Sequence, residues 1–407
     1  MSETTIPTAG TTVPPPDSEP GQMPEERQSA QLGVSETEVA VASQWQLMRW
    51  RFTRHRAAVG ALIFLGLMYL VAAFADFVGP YDPRGHDVFF VYAPPTRIHF
   101  VDQDGRFHLR PFVYPYKSEL IAEEFRTEYS EDLSRRVPIR FFVRGDPYKL
   151  WGIFSTDRHL FGTADPLDAD SGELGARIFL FGADKLGRDL FTRILIGARV
   201  SLTIGLVGIA LSFLLGIIFG GISGYLGGIP DLTIQRLIEF IQSVPSLPLW
   251  MGLSAALPKW WSMTAKYFAI VVILSLVDWT GLARTVRGKF MALKEEDYVT
   301  AARLNGSSRG RIIFKHLLPG FTSHIIASLT LSIPGMILGE SALSFIGLGL
   351  QAPAISWGVL LADAQRTYVL ALHPWLLIPG LFIVAVVLTF NFVGDGIRDA
   401  ADPYAHV

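Results

Sequence analysis

Six stretches of this 407-residue chain carry no Asp, Glu, Lys or Arg over lengths that water does not tolerate: residues 57–75, 200–230, 240–258, 267–277 with its continuation 279–283 past Asp278, 317–339, and 367–394. The first is 19 residues long, close to the roughly 20 that a helix needs to cross the hydrocarbon of a bilayer. A backbone in lipid must satisfy its own hydrogen bonds, which single segments do only as helices. The chain is therefore expected to be an all-α polytopic membrane protein with six transmembrane helices. Half of its residues are hydrophobic and only 18% are charged, which excludes an ordinary water-soluble globule.

Charge placement orients the spans. Arg49, Arg51, Arg54 and Arg56 stand directly before the first run, and basic flanks stay on the cytoplasmic side. Six crossings return the C-terminus to that side and put the connection between the fourth and fifth spans there as well. That connection, 284–315, holds eight basic residues against three acidic ones, 8 − 3 = +5, so composition and parity agree. Both termini are therefore expected on the cytoplasmic side.

Residues 1–44 contain six prolines, many Ser, Thr and Glu, and no apolar period; such a segment cannot bury enough surface to offset its chain entropy, and a disordered cytoplasmic tail is expected. No cleaved leader is expected, because the first apolar run starts only at Ala57. The first span with its flanks takes 45–80, and an extracytoplasmic insert of 81–180 follows, too long for a connector without structure. Within it, 97–101 and 106–110 alternate around Asp102-Gln-Asp-Gly105 and read as a β-hairpin, with a further strand at 137–143. A small external β or α/β lobe is expected. Residues 185–199 place Leu186, Leu190, Phe191, Ile194, Leu195 and Ala198 on one side of a helical wheel and Lys185, Arg188, Asp189, Arg193 and Arg199 on the other, the pattern of a helix lying in the membrane interface.

Residues 181–403 form the core. In its first span small residues recur every fourth position, Gly208, Ser212, Gly216, Gly220 and Gly224, which is a packing stripe; spacing leaves open whether it faces this chain or a partner. Pro245 and Pro248 require the third span to kink or unwind. Asp278, Glu340 and Asn391 are the polar candidates for a translocation pathway, or else for structural hydrogen bonds. The basic connection (284–320) predicts a short helix around 298–304, a stop at Asn305-Gly306, and a second helical stretch ending before Pro319. Two short helices continuous with the neighbouring spans could pass a push from a cytoplasmic partner into the membrane.

Ala301-Ala302, Gly306 and Leu318-Pro319 resemble the Glu-Ala-Ala…Gly…Leu-Pro loop of permease subunits in binding-protein-dependent ABC importers. Phe181-Gly-Ala-Asp-Lys-Leu-Gly-Arg-Asp189, Ala283-Arg-Thr-Val-Arg-Gly288, Gly339-Glu-Ser-Ala-Leu-Ser-Phe-Ile-Gly-Leu-Gly349 and Asn391-Phe-Val-Gly-Asp-Gly-Ile-Arg-Asp399 resemble one branch, the C-type subunit of dipeptide/oligopeptide permeases. The resemblance covers 45–81 and 181–403. It implies the type I importer permease fold, located in the bacterial cytoplasmic (inner) membrane. Tyr298, Thr300, Ala301, Ala302, Gly306, Leu318 and Pro319 would form the loop that docks on an ATPase, with Thr300 where the family has its first Glu. The implied partners are a homologous second permease subunit, two cytoplasmic ATPase subunits and an extracytoplasmic substrate-binding protein, with membrane lipid around the spans. The implied cargo is peptide, with oligosaccharide as the alternative.

Several classes are excluded on residues alone. The chain has no cysteine, and hence no thiolate site. Its formal charge of −2 gives no field for nucleic acid. Gly288-Lys289 is followed by Phe290, so no phosphate loop exists here, and ATP and Mg are expected on the partner ATPases with no cofactor in this chain. The nine histidines show no His-x-x-His or His-Glu-x-x-His spacing, so neither a metal nor a catalytic role is expected. An ion-coupled secondary transporter using Asp278 and Glu340 is the competing class.

Overall fold

The computed structural model describes residues 42–121, 126–163 and 176–401; residues 1–41 of the expected tail lie outside them. Its long helices are α1 (Arg56–Ala73) and α2 (Leu190–Leu226), then α3 (Gly228–Ser243) and α4 (Ser246–Ala255), then α5 (Met263–Leu293), α6 (Asp297–Leu304), α7 (Thr322–Ile346) and α8 (Ile378–Ala401). Among the described residues five helices, corresponding to α1, α2, α5, α7 and α8, are long and apolar enough to cross a membrane. The expected third crossing is the broken pair α3–α4.

Packing order shows that this pair still makes a crossing. Built Cβ atoms on Gly208, Gly216 and Gly224 of α2 would meet Ser275, Leu282 and Phe290 of α5 in rising order, so the two helices run parallel. Two parallel helices need a return between them. Along α3–α4, Asp231 pairs with Arg287, Gln242 with Thr280, and Trp250 packs by Leu274, an antiparallel order against α5. The bundle therefore has six passes, one of them broken. Gly396 of α8 touches Ala58 of α1 and Phe52 of the preceding helix Gln44–Arg54, which brings both ends of the described chain to one end of the bundle.

The small-residue stripe resolves as an internal seam. A Cβ on Gly220 would sit 2.5 Å from the backbone oxygen of Ala283, so the α2 and α5 backbones approach as only glycine allows. Ser275 Oγ donates to Gly208 O at 2.9 Å across the seam.

Three expectations need correction. Residues 185–199 do not form a separate interfacial helix: 37 residues from Leu190 to Leu226 are continuous, and Arg188 and Arg193 are buried. Both reach Asp184, at 2.7 and 3.4 Å, and Arg193 Nη1 donates to Pro83 O at 3.0 Å. A helical wheel cannot see this, because the counter-charge lies upstream of the helix. Asp189 caps α2, accepting from Thr192 N at 2.8 Å. The last span begins later than residue 367, since Thr367–Leu372 is a separate helix closed at His373 (φ −130°), whose successor Pro374 disfavours helical backbone. Helical structure also continues through Pro319 instead of ending before it. A π segment, Ile312–Leu317, and a 3-10 turn, Leu318–Phe321, carry the chain into α7, with Pro319 in the first turn where a missing N–H costs nothing.

The insert is a β lobe. Strands β1 (His99–Val101), β2 (Phe107–Val113), β5 (Val137–Leu150) and β6 (Phe154–Thr163) form an antiparallel sheet in the order β1-β2-β5-β6, while β3 (Tyr116–Ile121) pairs with β4 (Arg126–Glu131). The expected hairpin pairs His99 with Phe112 and Val101 with Phe107. Phe90, Ala93, Tyr116, Phe179 and Ala183 form one core of the lobe, and Val113, Val137, Ile139, Ala176 and Ile178 another.

Candidate functional site

The segment singled out in the basic connection is a short helix held on one face and open on the other. Val299 and Ala302 of α6 are buried in a cluster with Ile217 of α2, Leu282, Val286 and Phe290 of α5, and Ile312, Leu317, Phe321 and Ile325 leading into α7. Three long helices thus share one small apolar core with α6, and close-packed interiors transmit displacement. The opposite face carries Tyr298 at 45% exposure and Leu304 at 84%, with Thr300 and Ala301 also exposed. Phe314 adds a further exposed ring at 63%.

The local sequence explains this shape. Asn305 closes α6, its N–H donating to Ala301 O at 3.0 Å, and Gly306 follows at φ +73°, a left-handed position that favours glycine. Ser307 N donates to Ala302 O at 3.1 Å, completing the turn. Ser308 then caps the next helical turn through Arg311 N. Leu318 packs half-buried against the shared cluster, and Pro319 is exposed.

Next in sequence to Val286 of that core, Arg287 makes a linkage that sequence reasoning missed. Arg287 of α5 donates through Nε and Nη2 to the two carboxylate oxygens of Asp231 on α3, at 2.6 and 2.7 Å. Ser223 of α2 also donates to Asp231, and Gln235 Nε2 donates to Ser223 Oγ at 3.1 Å. The two Arg287 bonds form a bidentate, charge-assisted fork that ties α3 to α5. An Asp placed directly after the apolar run 200–230 was the available signal.

The polar residues at membrane depth are not brought together. Glu340 of α7 is fully buried and accepts from Ser356 Oγ at 2.7 Å, Ser344 Oγ at 2.8 Å, Ser341 Oγ at 3.4 Å and Ser201 Oγ of α2 at 3.5 Å. The same hydroxyls accept from the backbone: Trp357 N to Ser201 Oγ at 3.1 Å and Leu350 N to Ser344 Oγ at 3.0 Å. Asp278 on α5 is half-buried, and among the described residues no ion pair includes it. Asn391, also half-buried, lies on α8 one turn before Gly394, which packs on Leu331; Leu331 is nine residues before Glu340, roughly 13 Å along the helix.

The break at the third pass is built as its prolines require. Val244 is extended (φ −99°, ψ 130°) and Pro245 begins α4 from ψ 136°. Pro248 sits in the first turn of α4, where its absent N–H leaves no bond unmade. Among the described residues no cluster of three or more His, Asp or Glu is arranged to hold a metal ion.

Comparison with known proteins follows these divisions. The family described as "Binding-protein-dependent transport system inner membrane component" matches residues 212–406, and the one described as "N-terminal TM domain of oligopeptide transport permease C" matches residues 43–95. The strands of the β lobe lie outside both matches. The chain is 38% identical over 247 residues to the oligopeptide transport system permease protein OppC of Bacillus subtilis (strain 168), covering 60% of this chain and 78% of that protein. It is 42% identical over 224 residues to the dipeptide transport system permease protein DppC of the same organism, covering 55% and 68%. It is 41% identical over 224 residues to OppC of Haemophilus influenzae, covering 55% and 70%.

Proposed function

The chain belongs to the binding-protein-dependent transport permeases, in the branch of the oligopeptide and dipeptide permease C proteins, and from that membership we propose that it is one half of a gated membrane pathway for peptides, driven by ATPase subunits that dock on α6. The observation that carries the docking surface is the two-faced burial of α6: Val299 and Ala302 lock into the core shared by α2, α5 and the entry to α7, while Tyr298, Thr300, Ala301 and Leu304 face outward. A partner gripping the open face moves three long helices through one apolar contact.

The remaining parts follow from this assignment. A second, homologous permease completes the pathway, two ATPase subunits hold ATP and Mg on the side of α6, and a substrate-binding protein delivers cargo on the side of the β lobe. The basic flanks of α1 and of the α5–α7 connection support a cytoplasmic position for both termini. Closure of the ATPases on nucleotide biases a two-state bundle between its inward-open and outward-open forms. Thr300 lies on the docking face where the family has a Glu, so the ATPase contact here makes do without that carboxylate. The names of the relatives support peptides as cargo.

The test is uptake by the complex purified through this chain and reconstituted in vesicles. Peptide accumulation should require ATP on the α6 side and a binding protein on the lobe side, and should persist when ionophores collapse ion gradients. Uptake by the isolated chain, or uptake that follows an ion gradient without ATP, would overturn the assignment.

A further inference from the structure

The β5–β6 hairpin descends along the end of α1 toward the plane where the spans begin. Midway along it, His159 of β6, paired with Val143, makes a 2.6 Å hydrogen bond to Gly79 O. One register step nearer the base, Phe142 of β5 approaches Phe77 at 6.1 Å between ring centroids. At the tip, Trp151 Nε1 donates to Ala73 O at 2.8 Å, and its ring meets Phe74 at 5.2 Å. The body of the hairpin thus lies against Phe77 and Gly79, and its tip reaches back to Ala73, which ends α1.

Two helices mark the membrane boundary at this level. Arg199 donates to Ala72 O at 2.6 Å and Ala73 O at 2.9 Å and pairs with Asp76 at 2.8 Å, and the charge-free run of α2 starts at the next residue. Trp151 therefore lies level with the Arg199–Asp76 pair, which stands at the end of α1 and directly before the charge-free run of α2.

The tip is apolar and uncovered. Trp151 is 53% exposed, Ile153 75% and Phe154 59%, with the Trp151 and Phe154 rings 6.5 Å apart. Large apolar side chains clustered at a hairpin tip mark a contact surface. Lys149, Arg144 and Arg158 are exposed on the same two strands, placed to reach anionic headgroups. Backbone geometry adds to this. Trp151 is held at φ +53° and is followed by Gly152 at φ +75°, a turn that favours Asn or Gly at its first position. A bulky ring kept at a strained position points to use of the ring itself. The surface continuous with the tip is the uncovered side of α1, including Leu62, Ile63, Leu67 and Leu70, which is the lipid-facing side of a membrane span.

We infer that the β5–β6 hairpin is a membrane-surface anchor: Trp151, Ile153 and Phe154 seat in the interfacial layer of the leaflet on the lobe's side, beside the end of α1. Trp at that depth has an apolar body for the acyl boundary and an N–H that here is already satisfied by Ala73 O. The anchor fixes the β lobe against the bilayer while the helices move. It depends only on α1 being a membrane span, and it stands or falls separately from the cargo and the ATPase contact.

The chain has no cysteine, so Ile153→Cys and, separately, Asp104→Cys at the far hairpin turn each give one attachment point for a nitroxide. Both variants are made in the full chain within its purified complex and placed in lipid nanodiscs. At position 153 the label should collide with dissolved oxygen several-fold more often than with a water-soluble nickel chelate, and at position 104 the ratio should reverse. A label at 153 open to the nickel chelate would show a tip in water and overturn the inference. A label at 153 shielded from both reagents would show a protein partner covering the tip and would overturn it equally.

Discussion

Glu340 accepts a 2.7 Å hydrogen bond from Ser356 across a space closed to solvent, and this contact ties α7 to the short helix Trp357–Leu361. Ser356 also accepts from Val359 N at 3.3 Å as the cap of that helix. A carboxyl group without a cation is tolerated here because serine hydroxyls surround it, and three of them, Ser201, Ser344 and Ser356, also serve the backbone. Ser356→Ala removes a donor to a buried carboxyl group and a cap together. The expected cost is about 1–3 kcal/mol, read as a lower melting temperature of the purified protein in detergent. Ser332→Ala, whose hydroxyl among the described residues bonds to Ser328 O within α7, should leave that temperature nearly unchanged. Equal melting of both variants would remove the hub from the account of stability.

The Asp231–Arg287 fork should show itself in thermal stability. It joins α3 to α5 through two charge-assisted bonds, at 2.6 and 2.7 Å. Asp231→Asn should cost about 1.5–3 kcal/mol near neutrality, read as a lower melting temperature of the purified protein in detergent. Arg287→Lys keeps the charge but loses the planar fork, and should recover only part of the difference.

The α2–α5 seam should be intolerant of bulk at a single position. With the Ala283 oxygen 2.5 Å from where a Cβ would stand, Gly220→Val must push two long helices apart, at about 1–3 kcal/mol for overpacking of this kind. Gly252→Val is the control, since nothing lies within 4 Å of a Cβ there. The expected result is poor recovery of Gly220→Val from membranes and normal recovery of Gly252→Val.

Much of this architecture is readable from hydrophobicity, for a physical reason. Transfer out of water acts on every residue of a run at once, so the apolar stretches and the basic connection announce six passes without any knowledge of contacts. The Asn305-Gly306 stop is legible because only local backbone geometry is involved. Pairing is another matter. Arg188 and Arg193 read as a wetted face until Asp184, brought round by the turn before α2, buries them. The partner of the glycine stripe was likewise undetermined by spacing, since Gly216 meets Leu282 from a helix 66 residues on. The two roles of Glu340 could not be separated by residue type either. Its surroundings come from Ser201 and Ser356, on opposite sides of it in the chain.

The α6 contact separates folding from drive in three substitutions. Val299 is fully buried in the shared core, so Val299→Asp places an unpaired charge among apolar groups and should reduce the amount of folded protein. Leu304, at 84% exposure, has no such duty, and Leu304→Glu should melt like the parent. If the open face of α6 is where the ATPase grips, Leu304→Glu should nevertheless lower peptide uptake at least several-fold and weaken co-purification of the ATPase. Gly306→Pro stands between the two. Its φ of +73° is closed to proline, and its N–H donates to Arg303 O at 3.1 Å, so the helix should lose its end while the core formed by Val299 and Ala302 keeps the spans assembled. The expected outcome is protein at near-normal levels in the membrane with uptake abolished. Normal uptake in both Gly306→Pro and Leu304→Glu would mean that the drive enters the bundle elsewhere.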